Sequence, residues 1–312
     1  MTRTPFPARY ALAVLAVLAW FTTMRLSGAD TPVGQWVSNL GLVAVTGGAG
    51  AACLWRARTA GPAQRSWSLL GLGASSWGLG QVAWTFYESV QGREVPFPSA
   101  ADAGYLLAVP LLTAGLLALP GSPTEAATRV RLLLDGVVVA VSLMMVSWEL
   151  VLADTLAAGA ETPWLTAVSL LYPVGDVVCA TVALVALARA RHGTRVPVTS
   201  LLLLCGGCVA FAFGDTGFAY LTLHGWYYSG HPVDIGWFLG FTLLGLAARV
   251  PQADDRDSLQ RAETGARVGL VAPYVAVVAA LLAGVSQQAL TGRIGPFLAW
   301  GTLGLVGLLV VR

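Results

Sequence analysis

The sequence predicts an all-α membrane protein, a polytopic bundle of about ten spanning helices. Three observations predict it. The 312 residues are 56% hydrophobic and only 11% charged, against about 25% charged in a soluble domain. The mean hydropathy is +0.71. The apolar residues lie in continuous runs near the roughly 20 residues that a helix needs to cross a bilayer core. They do not form the alternating segments of about 10 residues that mark a membrane β-barrel.

The predicted spans are residues 10–28, 34–55, 66–88, 101–119, 130–154, 163–188, 199–223, 233–250, 267–289 and 295–311. The first resembles a signal peptide, because SGA at 27–29 looks like a cleavage site. Nine further spans favour an anchor. The connections are short and polar or rich in Gly and Pro. The longest, PQADDRDSLQRAETGAR at 251–267, is a charged, solvated strip.

Orientation follows from arginine, since the chain has no lysine. Arg3 and Arg9 precede the first span. Arg56, Arg58 and Arg65 fill the second connection, Arg129 and Arg131 the fourth, and Arg189, Arg191 and Arg195 the sixth. Arg249, Arg256, Arg261 and Arg267 fill the eighth, and Arg312 ends the chain. With alternating spans these share one side, and only Arg25, Arg93 and Arg293 fall on the other. The positive-inside rule then places both termini in the cytoplasm of a multi-pass plasma-membrane protein. The partners expected are the lipid bilayer and an unknown small ligand or proton. A net charge of +2 suggests no nucleic-acid partner.

Polar residues inside the spans carry the functional reading. On the third span, Trp77, Gln81, Trp84 and Glu88 share one helical face. On the seventh, Phe211, Asp215 and Phe218 repeat the first three at constant offset. The loops that follow match too, with Asp102 three residues before Tyr105 in PSAADAGYL and Asp234 three before Trp237 in PVDIGWFL. Arg131 likewise parallels Arg267. These pairs predict a parallel repeat of four helices, a device known in membrane folds. The domains are then 1–65 (two leading helices), 66–195 (first repeat) and 196–312 (second repeat). The sixth span adds Tyr172 and Asp176, one turn apart around Pro173. The tenth span is shorter than the sixth, so the chain is expected to be the front part of a longer protein.

Ionisable groups within spans cost a few kcal/mol or more unless they face the bundle interior. The candidate ligand-binding residues are therefore Trp77, Gln81, Trp84, Glu88, Asp102, Tyr105, Tyr172, Asp176, Asp215, Phe218, Asp234 and Trp237. They predict an outward-facing vestibule, acidic below and aromatic above. It would hold a cation or amine by charge and cation–π contact, bind a polar ligand, or respond to pH through desolvated carboxylates.

Plainer roles stand beside these. Trp77 and Trp84 either line a cavity or pack, and Asp176 and Asp215 either bind a ligand or pair structurally. Asp102 and Asp234 precede helices, where the dipole favours a carboxylate. Trp20, Trp36, Trp55, Trp67, Trp164 and Trp226 lie near span ends, as interfacial anchors do. Asp135, beside Arg129 and Arg131, reads as a salt-bridge residue. Cys205 and Cys208 spell CGGC within a span, where small residues serve close packing. Cys53 and Cys179 also sit in apolar runs, so no disulfide framework is expected. His224 and His231 lack a third fixed ligand for a metal. No catalytic motif of the HExxH or GxSxG kind is present, so no catalytic residue, metal or cofactor is expected.

Five blocks now point to a family. GLGQVAWTFYESVQGREVPFPSAADAGYLLAVPL (78–111), RLLLDGVVVAV (131–141), LLYPVGDVV (170–178), GDTGFAYL (214–221) and PVDIGWFLGFTLLGLAA (232–248) occur in this order. They resemble the multi-span N-terminal membrane region of actinobacterial GGDEF/EAL signalling proteins, from about residue 66 onward. That resemblance implies a sensory or membrane-placing role, coupled to cytoplasmic domains that make or degrade cyclic di-GMP and through which a second copy would join. The chain has no GGDEF-like or EAL-like motif, so such an output would lie beyond Arg312. The other readings of the acidic spans are a small-solute or ion transporter and an intramembrane enzyme.

Overall fold

The structure is a computed structural model. It describes residues 6–28, 31–121, 126–158, 163–189, 196–251, 271, 274–286, 288–289 and 295–311. The charged strip from residue 252, the first residues of the ninth span, and Arg3, Arg191, Arg195, Arg256, Arg261, Arg267, Arg293 and Arg312 lie outside them.

The described residues form ten helices and no strand. They are α1 (Phe6–Leu26), α2 (Pro32–Ala57), α3 (Gln64–Thr85), α4 (Ala100–Leu117), α5 (Ala126–Ser147), α6 (Pro163–Arg189), α7 (Val198–Leu223), α8 (Ile235–Arg249), α9 (Tyr274–Ser286) and α10 (Pro296–Val311). Two are extended by a π-helical turn, α3 by Phe86–Val90 and α5 by Trp148–Leu152, after which α5 runs on through Ala153–Ala158. Such turns insert an extra residue and occur often at functional sites.

Local chemistry starts the helices where the sequence places it. Thr31 caps α2 by accepting from the Gly34 N–H at 3.1 Å, with Pro32 in the first turn. Ser99 caps α4 in a reciprocal capping box with Asp102, which satisfies donors that a helix start leaves unpaired.

Among the described residues, five helices are long and apolar enough to cross a membrane: α2, α4, α5 with its extension (Val130–Ala157), α6 and α7. The predicted third span is helical but falls outside that set. The reason lies in α3 itself, whose Ser, Gly and Gln residues lower its hydropathy. Ser66, Gly71, Gly73, Ser76, Gly78, Gly80 and Gln81 are all buried in the protein. Only a narrow stripe of α3 is apolar and exposed, at Leu72, Leu79, Val82 and Phe86. Large exposed side chains also cover α1 (Leu12, Leu15, Leu18) and α10 (Trp300, Leu303, Val310). Apolar surface on this scale marks a contact face for lipid or protein.

The chain forms two compact units. The first is residues 1–119 and 203–252, the second residues 120–202 and 253–312. Each unit therefore takes helices from both proposed repeats, and α7 passes from one to the other.

In the first unit, glycines set the helix spacing. A methyl group placed on Gly104 of α4 would lie 2.6 Å from the Gly80 nitrogen and 2.7 Å from the Ser76 carbonyl oxygen of α3. On α8, a methyl on Gly236 would lie 2.7 Å from the Gly214 nitrogen and 2.7 Å from the Ala210 carbonyl oxygen of α7. Backbones this close need residues without side chains at the crossing. Gly207 of the CGGC segment also packs against α8, 3.1 Å from the Gly240 carbonyl oxygen by the same measure.

Two of the predicted interfacial tryptophans belong to the core instead. Trp67 is buried. Trp20 stacks on Phe238 at 4.3 Å and donates to the Val37 carbonyl oxygen at 3.1 Å. Its indole N–H, which would favour a membrane interface, has a backbone partner inside the protein. Trp36, Trp55, Trp164 and Trp226 remain exposed.

In the second unit, Val138 and Met145 of α5 pack with Ala280 of α9 and Leu298 and Leu305 of α10. Trp148 stacks on Phe297 at 4.4 Å. Asp135 is buried on α5. Tyr172 and Asp176 lie on α6, which runs helical through the buried Pro173.

Candidate functional site

The first unit contains a continuous group of polar and aromatic side chains from α2, α3, α4, α7, α8 and the 224–231 loop. It begins on α3. Gln81, 4% exposed, accepts from the Tyr105 hydroxyl at 2.8 Å and donates from Nε2 to Asn39 Oδ1 at 2.9 Å. Asn39 donates from Nδ2 to Glu88 Oε2 at 2.7 Å and to the Ser89 hydroxyl at 3.0 Å. One turn before Glu88, the Trp84 indole N–H lies 3.2 Å from the same Oε2 and 3.3 Å from the Ser229 hydroxyl. Hydrogen bonds to an ionised acceptor are about twice as strong as neutral ones. Glu88 is thus held as an acceptor by two side chains.

A second polar centre sits on α7 and α8. The Trp237 indole N–H donates to Asp215 Oδ1 at 2.5 Å. Asp234, fully buried, accepts from the Ser38 hydroxyl at 2.7 Å, the Gly230 N–H at 2.8 Å and the Tyr227 hydroxyl at 3.2 Å. Gly230 has φ +95, a conformation that side-chain-bearing residues rarely adopt, and this aims its N–H at the carboxylate. Burial, with the Asp234 carboxylate beside it, holds the Tyr227 phenol well above the ordinary tyrosine value.

Aromatic rings join the two centres. Trp77 lies 4.8 Å from Tyr105, 4.9 Å from Phe241, 6.0 Å from Phe211 and 6.1 Å from Trp237, measured between ring centroids. Phe218 meets Tyr227 at 4.6 Å, Trp237 at 5.7 Å and Trp84 at 6.1 Å. The tilted and edge-to-face geometries are those that aromatic quadrupoles favour.

The structure thus brings Trp77, Gln81, Trp84, Glu88, Tyr105, Asp215, Phe218, Asp234 and Trp237 into one group. Asp102 has a local partner, because its Oδ2 accepts from the Ser99 N–H at 2.6 Å within the capping box. Tyr172 and Asp176 belong to the second unit. Sequence reasoning missed Ser38 and Asn39 on α2, together with Tyr227 and Ser229. The α2 pair left a trace, since Ser38 and Asn39 are polar and Thr46 follows about two turns later on the same face, across the apolar run 40–45. That face is the buried one.

His231 shapes the entry to α8. Its Nδ1 accepts from the Val233 N–H at 3.2 Å and caps the short turn that carries Asp234. Burial, and then the Arg25 charge, hold its imidazole below the ordinary histidine value. A neutral ring is needed, because protonated Nδ1 cannot accept. A depressed folded value means that the contribution to stability is complete above the ordinary value of about 6.5. It is lost as pH falls through the lower folded value. The expected result is an unfolding temperature in detergent that drops on mild acidification, with this component of the drop absent in His231→Gln. An unchanged acid response in that variant would show that the cap has no part in it.

The chain matches no protein-family model, no curated protein and no solved structure.

Proposed function

We propose that the chain is the multi-pass membrane input region of a signalling protein. Both termini would be cytoplasmic, and it would relay an extracytoplasmic or intramembrane cue to a cytoplasmic output. The arginine asymmetry supports the orientation, and the five ordered sequence blocks support an output that makes or breaks down cyclic di-GMP. The observation that carries the reading is the polar group of the first unit. Its side chains bond chiefly to one another, across α2, α3, α4, α7 and α8. Directional bonds between several helices make an element with discrete packings, and a ligand that prefers one packing shifts the balance.

The parallel four-helix repeat and the ten spans belong to this reading. Two recurrences favour the repeat. The Tyr105–Gln81 hydrogen bond has its counterpart in Trp237–Asp215. The close approach of Gly80 and Gly104 has its counterpart in Gly214 and Gly236.

The test is cellular cyclic di-GMP measured with the natural full-length protein. Glu88→Gln and Asp215→Asn are expected to abolish the response to the cue while membrane insertion stays intact. A wild-type response in both variants would sink the reading.

A further inference from the structure

The hydrogen bonds around Asn39 have a direction. An ionised Glu88 only accepts, so Asn39 must turn its amide nitrogen to Glu88 and its carbonyl to Gln81. Gln81 must then donate to that carbonyl, which leaves its own carbonyl toward Tyr105, and Tyr105 must donate its hydroxyl hydrogen. Every donor in the row Tyr105, Gln81, Asn39 points toward Glu88. In such a row each bond polarises the next.

A protonated Glu88 carries one O–H to donate. The row then has a second self-consistent arrangement. Glu88 donates to the Asn39 carbonyl, Asn39 donates to the Gln81 carbonyl, and Gln81 donates to the Tyr105 oxygen. Each amide makes a half-turn in place, and no heavy-atom bond is made or broken. The Tyr105 hydroxyl hydrogen is released from Gln81. Besides Glu88, the carboxylates of Asp102, Asp215 and Asp234 face Tyr105. The Trp77 ring lies against both Tyr105 and Trp237, the donor to Asp215.

We propose that Glu88 is a proton-binding site and that its occupancy sets the direction of this row, so that the cue read by the first unit is a proton. The proposal rests on the input-region reading above and names its ligand. Glu88 is placed for the task. It is half-buried, in the π-helical turn that ends α3 and just before the 91–99 loop. The titratable groups that face it are Tyr105 of α4, Tyr227 of the 224–231 loop and Asp234 at the head of α8. α2 presents to this group the neutral Ser38 and Asn39. Within its own segment, Arg93 lies over the Tyr87 ring at 4.8 Å.

Infrared difference spectroscopy of the purified chain in liposomes, between neutral and acidic buffer, tests the proposal. The wild type is expected to show a new protonated-carboxyl band together with a shift of a tyrosine band. Glu88→Gln should lose both. Tyr105→Phe should keep the carboxyl band and lose the tyrosine shift. Asn39→Leu and Gln81→Met each interrupt the row, and whichever folds, judged by gel filtration, should keep the carboxyl band and lose the tyrosine shift. A tyrosine shift that survives the interruption, or a Glu88 that protonates without one, would overturn the directional row. So would a carboxyl band unaffected by Glu88→Gln. If the spectra behave as expected but Glu88→Gln leaves cyclic di-GMP signalling unchanged, the signalling reading fails and the proton site stands.

Discussion

Asp234→Ala is expected to destabilise the protein by about 3–5 kcal/mol, since each buried donor left without an acceptor costs about 1–3 kcal/mol. Asp234 accepts from Ser38, Gly230 and Tyr227. The substitution leaves three donors without their acceptor in a site closed to water. Each hydrogen bond to a charged group contributes about 1.5–3 kcal/mol. The full sum is not lost, since the cavity admits some rearrangement. Asp234→Asn should cost less, because its carbonyl oxygen still accepts while its amide nitrogen faces a donor. Unfolding in mild detergent, followed for both variants, checks the order. Wild-type stability in Asp234→Ala would mean that the three bonds are not made together.

The second large effect is expected at the helix crossings. Gly104→Ala and Gly236→Ala each place a methyl group 2.6–2.7 Å from backbone atoms of the facing helix. Backbone cannot move aside as a flexible side chain does, so α3 and α4, or α7 and α8, must separate. Overpacking of this kind costs about 1–3 kcal/mol and occasionally more. It opposes the gain of roughly 1 kcal/mol that alanine brings to a helix interior over glycine. At Gly47 and Gly48 of α2, no atom lies within 4 Å of the added methyl. There only the gain remains, so Gly47→Ala and Gly48→Ala should be neutral or slightly stabilising. Separating α3 from α4 also pulls the Ser76 hydroxyl from the Gly104 carbonyl oxygen, a bond of 2.8 Å, and draws Tyr105 away from Gln81. Thermal unfolding of the four variants in one detergent separates the two groups. Equal losses at all four sites would refute the assignment of the crossings.

Two positions that look alike in sequence part company in the fold. Asp102 and Asp234 each stand at a helix start, three residues ahead of an aromatic residue, Asp102 in the first turn of α4 and Asp234 just before α8. Asp102 has Ser99 three residues before it, and a serine at that place closes a capping box on the aspartate. Asp234 has His231 there, which caps the turn with its own ring nitrogen. The Asp234 carboxylate is therefore left to gather Ser38, Gly230 and Tyr227. Sequence shows that a carboxylate can serve a helix start, and the residue three places earlier decides whether it does.

The all-helical class and the approximate bounds of ten helical segments were legible in the chain. Hydropathy and helix signals act over one turn to one segment, and no distant contact can override them along a run of apolar residues. The face shared by Trp77, Gln81, Trp84 and Glu88 was legible for the same reason, since a period of 3.6 residues is a property of a single helix. What meets that face was not legible. The leading helices stood outside the proposed repeat, yet α2 supplies Asn39 to Gln81 and Glu88, and Ser38 to Asp234. Tyr172 and Asp176 carry the same chemistry as the site residues but belong to another unit. Periodicity states which residues of one helix point together, whereas the choice of neighbour depends on where small residues let two backbones approach. That choice is made by packing between segments far apart in the chain.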